Sequence, residues 1–193
     1  MKRSSMPKKL SEMTLEELWC LFPIILTKPN PEWKAWYTEE SEILLSILPS
    51  SFVYALHHIG STAVNGIWAK PTIDMLLEIE DGVMMRDLID PIKNAGYILM
   101  SQSENRLSFN KGYTETGFAE RVFHLHVRRK GDNAELYFRD YLNAHPDKAK
   151  EYEKMKLSLW KNYEHDRDGY TNRKSDMVTR FTLKARQEFK DKY

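Results

Sequence analysis

The eight residues "TIDMLLEI", Thr72 to Ile79, constrain this chain more than any other stretch. Apolar side chains occupy both alternation faces of the run, so a strand here is buried on both sides and needs covering layers above and below it. Asp74 interrupts the run. An ionised carboxylate in such a strand is costly unless a metal, a cation or several donors meet it. Acids held in this way mark functional sites, and Asp74 is read as one.

A second strand is read just upstream in "SFVYALHHI", whose aromatic and β-branched residues suit a pleated surface. Between the two lies "GSTAVNG". Gly60 lets the backbone leave the strand through angles closed to other residues. Ser61 and Thr62 then offer hydroxyls and unpaired amides where a short helical turn can begin, and such turns attract anions. The plainer reading of Gly-Ser-Thr is an ordinary loop tripeptide. Lys70, beside Pro71 at the strand entry, either neutralises the carboxylate or a bound phosphate, or is a solvated lysine.

A carboxylate partner for Asp74 is not found on its own strand. Position 76 is Leu76, and Glu78 lies about 13 Å away at roughly 3.3 Å per residue. "FHLHV" offers another source of ligands. In a strand, His124 and His126 project from one face about 7 Å apart. If their strand adjoins that of Asp74, two histidines and one carboxylate form a metal-ligand set. The alternative is a pair of histidines bonded to polar neighbours. His57 and His58, as strand neighbours, point to opposite faces. "GYTNRKSD" places Tyr170, Thr171, Arg173 and Lys174 at the start of a helix, which suits either an anion or simple capping. Arg139 and Asp140 fall in a helix among apolar residues.

The remaining elements follow from patterning. Thr14 and Glu17 form a capping box for a helix from Leu15 to Cys20. "LFPIIL" is expected as a short edge strand interrupted by Pro23. Asn30 and Pro31 open a helix that runs to about Leu48, where Pro49 stops it. Residues 82–94 are expected to be helical, disturbed near Pro91 and ended by Gly96. Three strands follow in "YILM", "RLSFNKG" and "RVFHLHVRR", then three helices over 133–144, 146–163 and 170 to the end. The fold class is therefore α+β: a mixed sheet covered by helices with a helical C-terminal extension.

The 193 residues suit one domain, taken as 13–193 behind a disordered basic tail over 1–12. With 29 basic and 28 acidic residues there is no global charge case for nucleic-acid or membrane partners. The single Cys20 forms no internal disulfide and no thiolate metal cluster, which fits a reducing compartment. No apolar run approaches a membrane span, and "MKRSSMPKKL" leads into acidic residues rather than a signal-peptide core. A cytoplasmic protein is expected. Its oligomeric state is left open.

The strings "PEW", "HHIGSTAVNGIWAKPTIDMLLEI", "HLHV", "LYFRDYLNAHPDKAKEY" and "YTNRK" occur in the order and spacing of the GrpB family, which the chain resembles from about Leu21 onward. That family belongs to the nucleotidyltransferase-like superfamily, with DNA polymerase beta and aminoglycoside nucleotidyltransferases as distant members. The resemblance implies a mixed sheet in which a Gly-Ser turn precedes an Asp-bearing strand. In active members of the superfamily Gly-Ser binds a nucleoside triphosphate, two carboxylates at x and x+2 hold two magnesium ions, and a later strand gives a third. Gly60 and Ser61 match the first feature and Asp74 the first carboxylate. Leu76 departs from the second, and "HLH" occupies the strand of the third.

The expected function is binding of a nucleotide or other phosphorylated small ligand, with possible partners limited to such molecules. Phosphates would sit on Gly60, Ser61, Thr62, Lys70 and Lys174. One divalent metal (manganese, magnesium or zinc) would sit on Asp74, His124 and His126. If a nucleotidyl or phosphoryl group is transferred, Asp74 and Lys70 are the catalytic residues. The alternatives are a non-catalytic binding or interaction module and a metal-dependent hydrolase.

Overall fold

The apolar run containing Asp74 becomes strand β2 (Thr72–Ile79), which pairs antiparallel with β1 (Val53–Ile59) and parallel with β5 (Gly117–Arg129). In the computed structural model, which describes residues 8–190, 192 and 193, the sheet continues through β4 (Arg106–Thr114) to β3 (Ile98–Gln102). The strand order is β1-β2-β5-β4-β3, with every pair antiparallel except β2–β5. Six helices are present among the described residues: α1 (Leu15–Leu21), α2 (Glu32–Ile47), α3 (Arg86–Asn94), α4 (Ala134–Ala144), α5 (Pro146–Trp160) and α6 (Arg167–Glu188). This is the mixed α+β sheet covered by helices that the sequence implied.

Alternation divides the sheet into two faces with different chemistry. Ile73, Met75 and Leu77 of β2 share one face with Leu125 of β5 and Phe109 of β4, and α2 and α3 seal it with Trp33, Leu44, Leu88 and Ile92. The opposite face carries Asp74, His124 and His126, because Asp74 lies opposite His124 and Leu76 opposite His126 in the parallel register. Here α4 closes only one patch, where Leu136 packs on Ile59 and Leu76. α4, α5 and α6 form their own apolar cluster around Phe138, Tyr141, Tyr152 and Phe181. The polar side chains therefore lie on the sheet beneath a separately stabilised helical layer.

Several local expectations are corrected. "LFPIIL" forms no strand: Pro23 lacks a ladder donor, and the segment runs as coil against the end of the helical layer. The Ile24 amide donates to the Glu164 carbonyl at 2.8 Å, the Trp160 indole donates to the Ile24 carbonyl at 2.6 Å, and Thr27 makes an isolated bridge with Ala69. α3 starts at Arg86, because Gly82 turns the chain at φ +86°. α6 starts at Arg167, three residues early, because the Asp166 side chain caps it by accepting from the Gly169 amide. Of the expected N-terminal tail, residues 1–7 lie outside the described residues; Leu10–Glu12 form a 3-10 turn and Lys8 pairs with Glu17 at 2.7 Å.

The turn after β1 positions the site. β1 ends at Ile59, Gly60 takes φ +71°, and Ser61–Ala63 form one 3-10 turn. A Cβ on Gly60 would lie 2.3 Å from Oδ2 of Asp74 and 2.9 Å from its Cβ. Glycine is thus required here by both backbone angle and close approach. Gly131 is a control, with φ +83° and open space around the added methyl. Gly131→Ala is expected to cost about 1–2 kcal/mol from the left-handed backbone alone. Gly60→Ala is expected to cost roughly 1–3 kcal/mol more, from overpacking against Asp74. Urea unfolding measures both, and equal losses would show that the Gly60–Asp74 approach constrains nothing.

Candidate functional site

Asp74 sits at the end of a chain of hydrogen bonds crossing three strands and a helix. Its Oδ1 lies 3.0 Å from Nδ1 of His124, and Nε2 of His124 lies 2.8 Å from the Tyr113 hydroxyl. Arg167, in the first turn of α6, donates from Nη1 to that hydroxyl at 3.3 Å. A guanidinium only donates, so Arg167 donates to the Tyr113 hydroxyl, and an ionised carboxylate only accepts, so Nδ1–H of His124 donates to Asp74. Burial pushes the Asp74 carboxyl up, yet the His124 hydrogen bond, together with the attraction of His124, His126 and Lys70 in their protonated forms, outweighs it and holds the group at about 2. Asp74 is therefore ionised at neutral pH.

Cations outnumber that one carboxylate. Burial, with repulsion from Arg167 and Lys174, lowers Lys70 to about 7 against the pull of Asp74. Burial lowers Lys174 to about 8, with Asp74 opposing and Arg167 adding to the shift. Lys156, only 2% exposed, is lowered to about 7 by burial and then by Lys174. It donates to the Trp68 carbonyl at 2.5 Å. Tyr170, only 1% exposed, has a hydroxyl with no partner among the described residues. Beside these groups runs a cleft of about 720 Å³, lined by Gly60, Asp74, His126 and Lys174. Crowded lysines and an orphaned hydroxyl are donors in excess, and the species that satisfies such a set is an anion.

The residues singled out from the sequence fare differently. Gly60 and Ser61 adopt the sharp exit and turn, and among the described residues the Ser61 and Thr62 amides have no acceptor. The Thr62 hydroxyl, by contrast, is committed internally. It donates to the Thr72 carbonyl at 3.1 Å and lies 2.9 Å from Nε2 of His58, so only the amide of Thr62 is left for a ligand. Burial lowers His58 to about 4. Lys70 and Lys174 both reach the site, whereas Arg173 turns away to the Tyr163 hydroxyl.

The three expected metal ligands are brought only partly together. Asp74 and His124 do meet, and His126 lines the same cleft, yet among the described residues no group of three or more His, Cys, Asp or Glu side chains is gathered to hold an ion. His124 has both ring nitrogens in hydrogen bonds, and Leu76, opposite His126, brings no oxygen to the row. Leu76, where the sequence resemblance would lead one to expect a second carboxylate, is fully buried against Ile59 and Leu136. These donors do not fit a resident divalent metal.

Two contributors escaped the sequence reading. By strict alternation Tyr113 would share the face of Phe109 and Lys111. The register shifts between Lys111 and Tyr113, with Gly112 at φ +91°, and turns the ring onto His124 at a centroid distance of 5.9 Å. Arg167 lies in "HDRDGY", where the Asp166 cap and Gly169 three residues on were the available sign that the helix begins early.

Comparison with known proteins places this arrangement. The family model described as GrpB protein matches residues 23–184. The chain is 35% identical over 159 residues to the UPF0157 protein PA4798 of Pseudomonas aeruginosa, a match covering 81% of this chain and 65% of that protein, so it spans just under two thirds of that relative. It is 35% identical over 164 residues to the glutamate-rich protein GrpB of Alkalihalophilus pseudofirmus, covering 80% of this chain and 91% of that one. The crystal structure of the conserved protein GrpB from Enterococcus faecalis superposes with a TM-score of 0.72 at 26% identity, over 86% of this chain and 99% of that one. The chain belongs to the GrpB family.

Proposed function

We propose that the cleft beside Asp74 binds a nucleotide or another phosphorylated small molecule through its phosphates. The observation that carries this reading is geometric: Lys174 lines the cleft of Asp74, Lys70 and Arg167 line a cavity of about 140 Å³ between them, and the Ser61 and Thr62 amides at the end of β1 are free among the described residues. In this reading the phosphates accept from the Ser61 and Thr62 amides and from the three cations. Asp74 fixes the cations and, through His124, the position of Tyr113 and Arg167. The nucleotidyltransferase-like layout of turn and Asp-bearing strand supports the ligand class.

The divalent metal suggested by the resemblance is assigned no step, because the donors beside Asp74 do not fit one. With Leu76 in place of a second carboxylate, the two-ion chemistry of the active superfamily has no frame here. The binding module without turnover is the form of the reading that these residues support best.

Ligand binding is expected to raise the melting temperature, since a ligand at a hundred times its Kd adds about 2.7 kcal/mol. Thermal shift with tripolyphosphate and a panel of nucleotides measures this, in EDTA and in manganese. Equal stabilisation in both buffers is expected, with loss of the shift in Lys70→Met and Ser61→Leu. Stabilisation that requires manganese would overturn the metal-free reading, and unchanged shifts in both variants would remove the cradle.

The lysines also set a pH dependence. Their folded pKa values lie near 7 to 8, below the ordinary 10.5, so across that interval the unfolded chain binds more protons than the folded one. Stability therefore rises with pH there. The melting temperature of the ligand-free protein is expected to climb from pH 7 to 9 and to climb less in Lys156→Met. Phosphate affinity is expected to fall over the same range as the lysines lose their charge. A flat stability profile would contradict the crowding of these groups.

A further inference from the structure

A second cavity adjoins the anion site. It is a groove of about 430 Å³ between the N-terminal segment, with Leu10, Leu15 and Trp19, and the sheet, with Ile98, Met100 and Asn110. Its size lies within the range of small-molecule sites. Its N-terminal wall precedes residue 23, where the match to the family model begins, so this wall is supplied by chain outside the shared domain.

The groove is continuous with the cations. Arg167 and Tyr113 line it on one side, and the same two residues border a small cavity of about 140 Å³ shared with Lys70. Asn110 lies opposite both Ile98 and His124, on the sheet row that leads to Asp74. Asn110 is only 9% exposed and lines the groove, and no side-chain hydrogen bond to it is found among the described residues. A carboxamide that lines an apolar groove offers one donor and one acceptor to a group that carries both. Flat apolar walls with one such amide suit a planar heterocycle, whose faces are apolar and whose edge carries both donor and acceptor.

We propose that this groove is a nucleobase subsite, so that the ligand is a nucleotide with its base between α1 and the β3–β4 strands and its phosphates at Arg167 and Lys70. This rests on the phosphate reading above and narrows it, since a sugar phosphate or free polyphosphate would leave the groove and the Asn110 amide unused. Arg167, shared by both cavities, lies at the junction of base and phosphate.

Calorimetric titration with tripolyphosphate, ATP, GTP, CTP and UTP in EDTA tests it on the parent, Asn110→Ala and Trp19→Ala. At least one nucleotide is expected to bind about tenfold or more tightly than tripolyphosphate, in line with the contribution of one stacked base. Both variants are expected to erase that margin and leave tripolyphosphate affinity unchanged. Equal affinity of the parent for tripolyphosphate and every nucleotide overturns the subsite and leaves the phosphate reading standing. Absence of binding to all five overturns both. Tripolyphosphate binding also reports whether a variant is folded. Leu15→Asp, at a groove-lining side chain 52% exposed, supplies a substitution that folding tolerates. A full nucleotide margin in folded Leu15→Asp and Asn110→Ala proteins equally overturns the subsite.

Discussion

The hydrogen bond between Asp74 and His124 is the constraint on which the polar face of this sheet depends. It joins two adjacent parallel strands at directly opposed positions, 3.0 Å apart, inside a sheet whose other face packs the main apolar core. A carboxylate at that depth must be met by donors, and each donor that meets it needs orienting in turn. His124 is oriented by Tyr113, Tyr113 is aimed by the bulge at Gly112, and Arg167 completes the chain from the start of α6. Gly60 leaves the carboxylate its space. The turn, the hairpin and the helical layer thus converge on one oxygen pair.

The same face holds a second buried carboxylate, and the contrast is instructive. Glu78 accepts from the Gly131 amide at 2.8 Å and the Asn133 side chain at 3.1 Å, and pairs with His57 at 3.2 Å. Its partners match its lone pairs, so it ties β2 to the loop before α4 and asks for nothing further. At Asp74 the balance is reversed: the surrounding lysines and the Tyr170 hydroxyl exceed the acceptors present. Two acids four residues apart on one strand therefore serve different ends. One is a strap, and the other lies among donors that its own oxygens do not match.

Much of this was legible in the sequence, for reasons that can be named. Apolar residues on both alternation faces of Thr72–Ile79 required a covered sheet, and the exception, Asp74, marked the site. His124 and His126 were placed on the correct face by period two alone. Gly60 announced the strand exit. What could not be read arose where local rules are broken by tertiary contacts. The register shift beside Gly112, where β5 carries the extra residues, reverses the face of Tyr113, the docking of Ile24 onto Trp160 replaces a strand, and Asp166 starts α6 early enough to bring Arg167 to the site. The expected metal-ligand set meets the same limit. Spacing shows that two side chains share a face, whereas the hydrogen bonds that occupy both nitrogens of His124 come from distant parts of the chain.

The central claim is that the donor excess around Asp74 holds an anion. Crystals of the protein soaked in selenate, a tetrahedral dianion located by its anomalous signal, test it most directly. The account predicts a selenium peak in the cleft, with oxygens about 3 Å from the Ser61 amide and from the Lys70 or Lys174 ammonium, and loss of that peak in Lys70→Met crystals. An empty cleft beside selenate bound elsewhere on the surface, or a peak that persists unchanged in Lys70→Met, would contradict it.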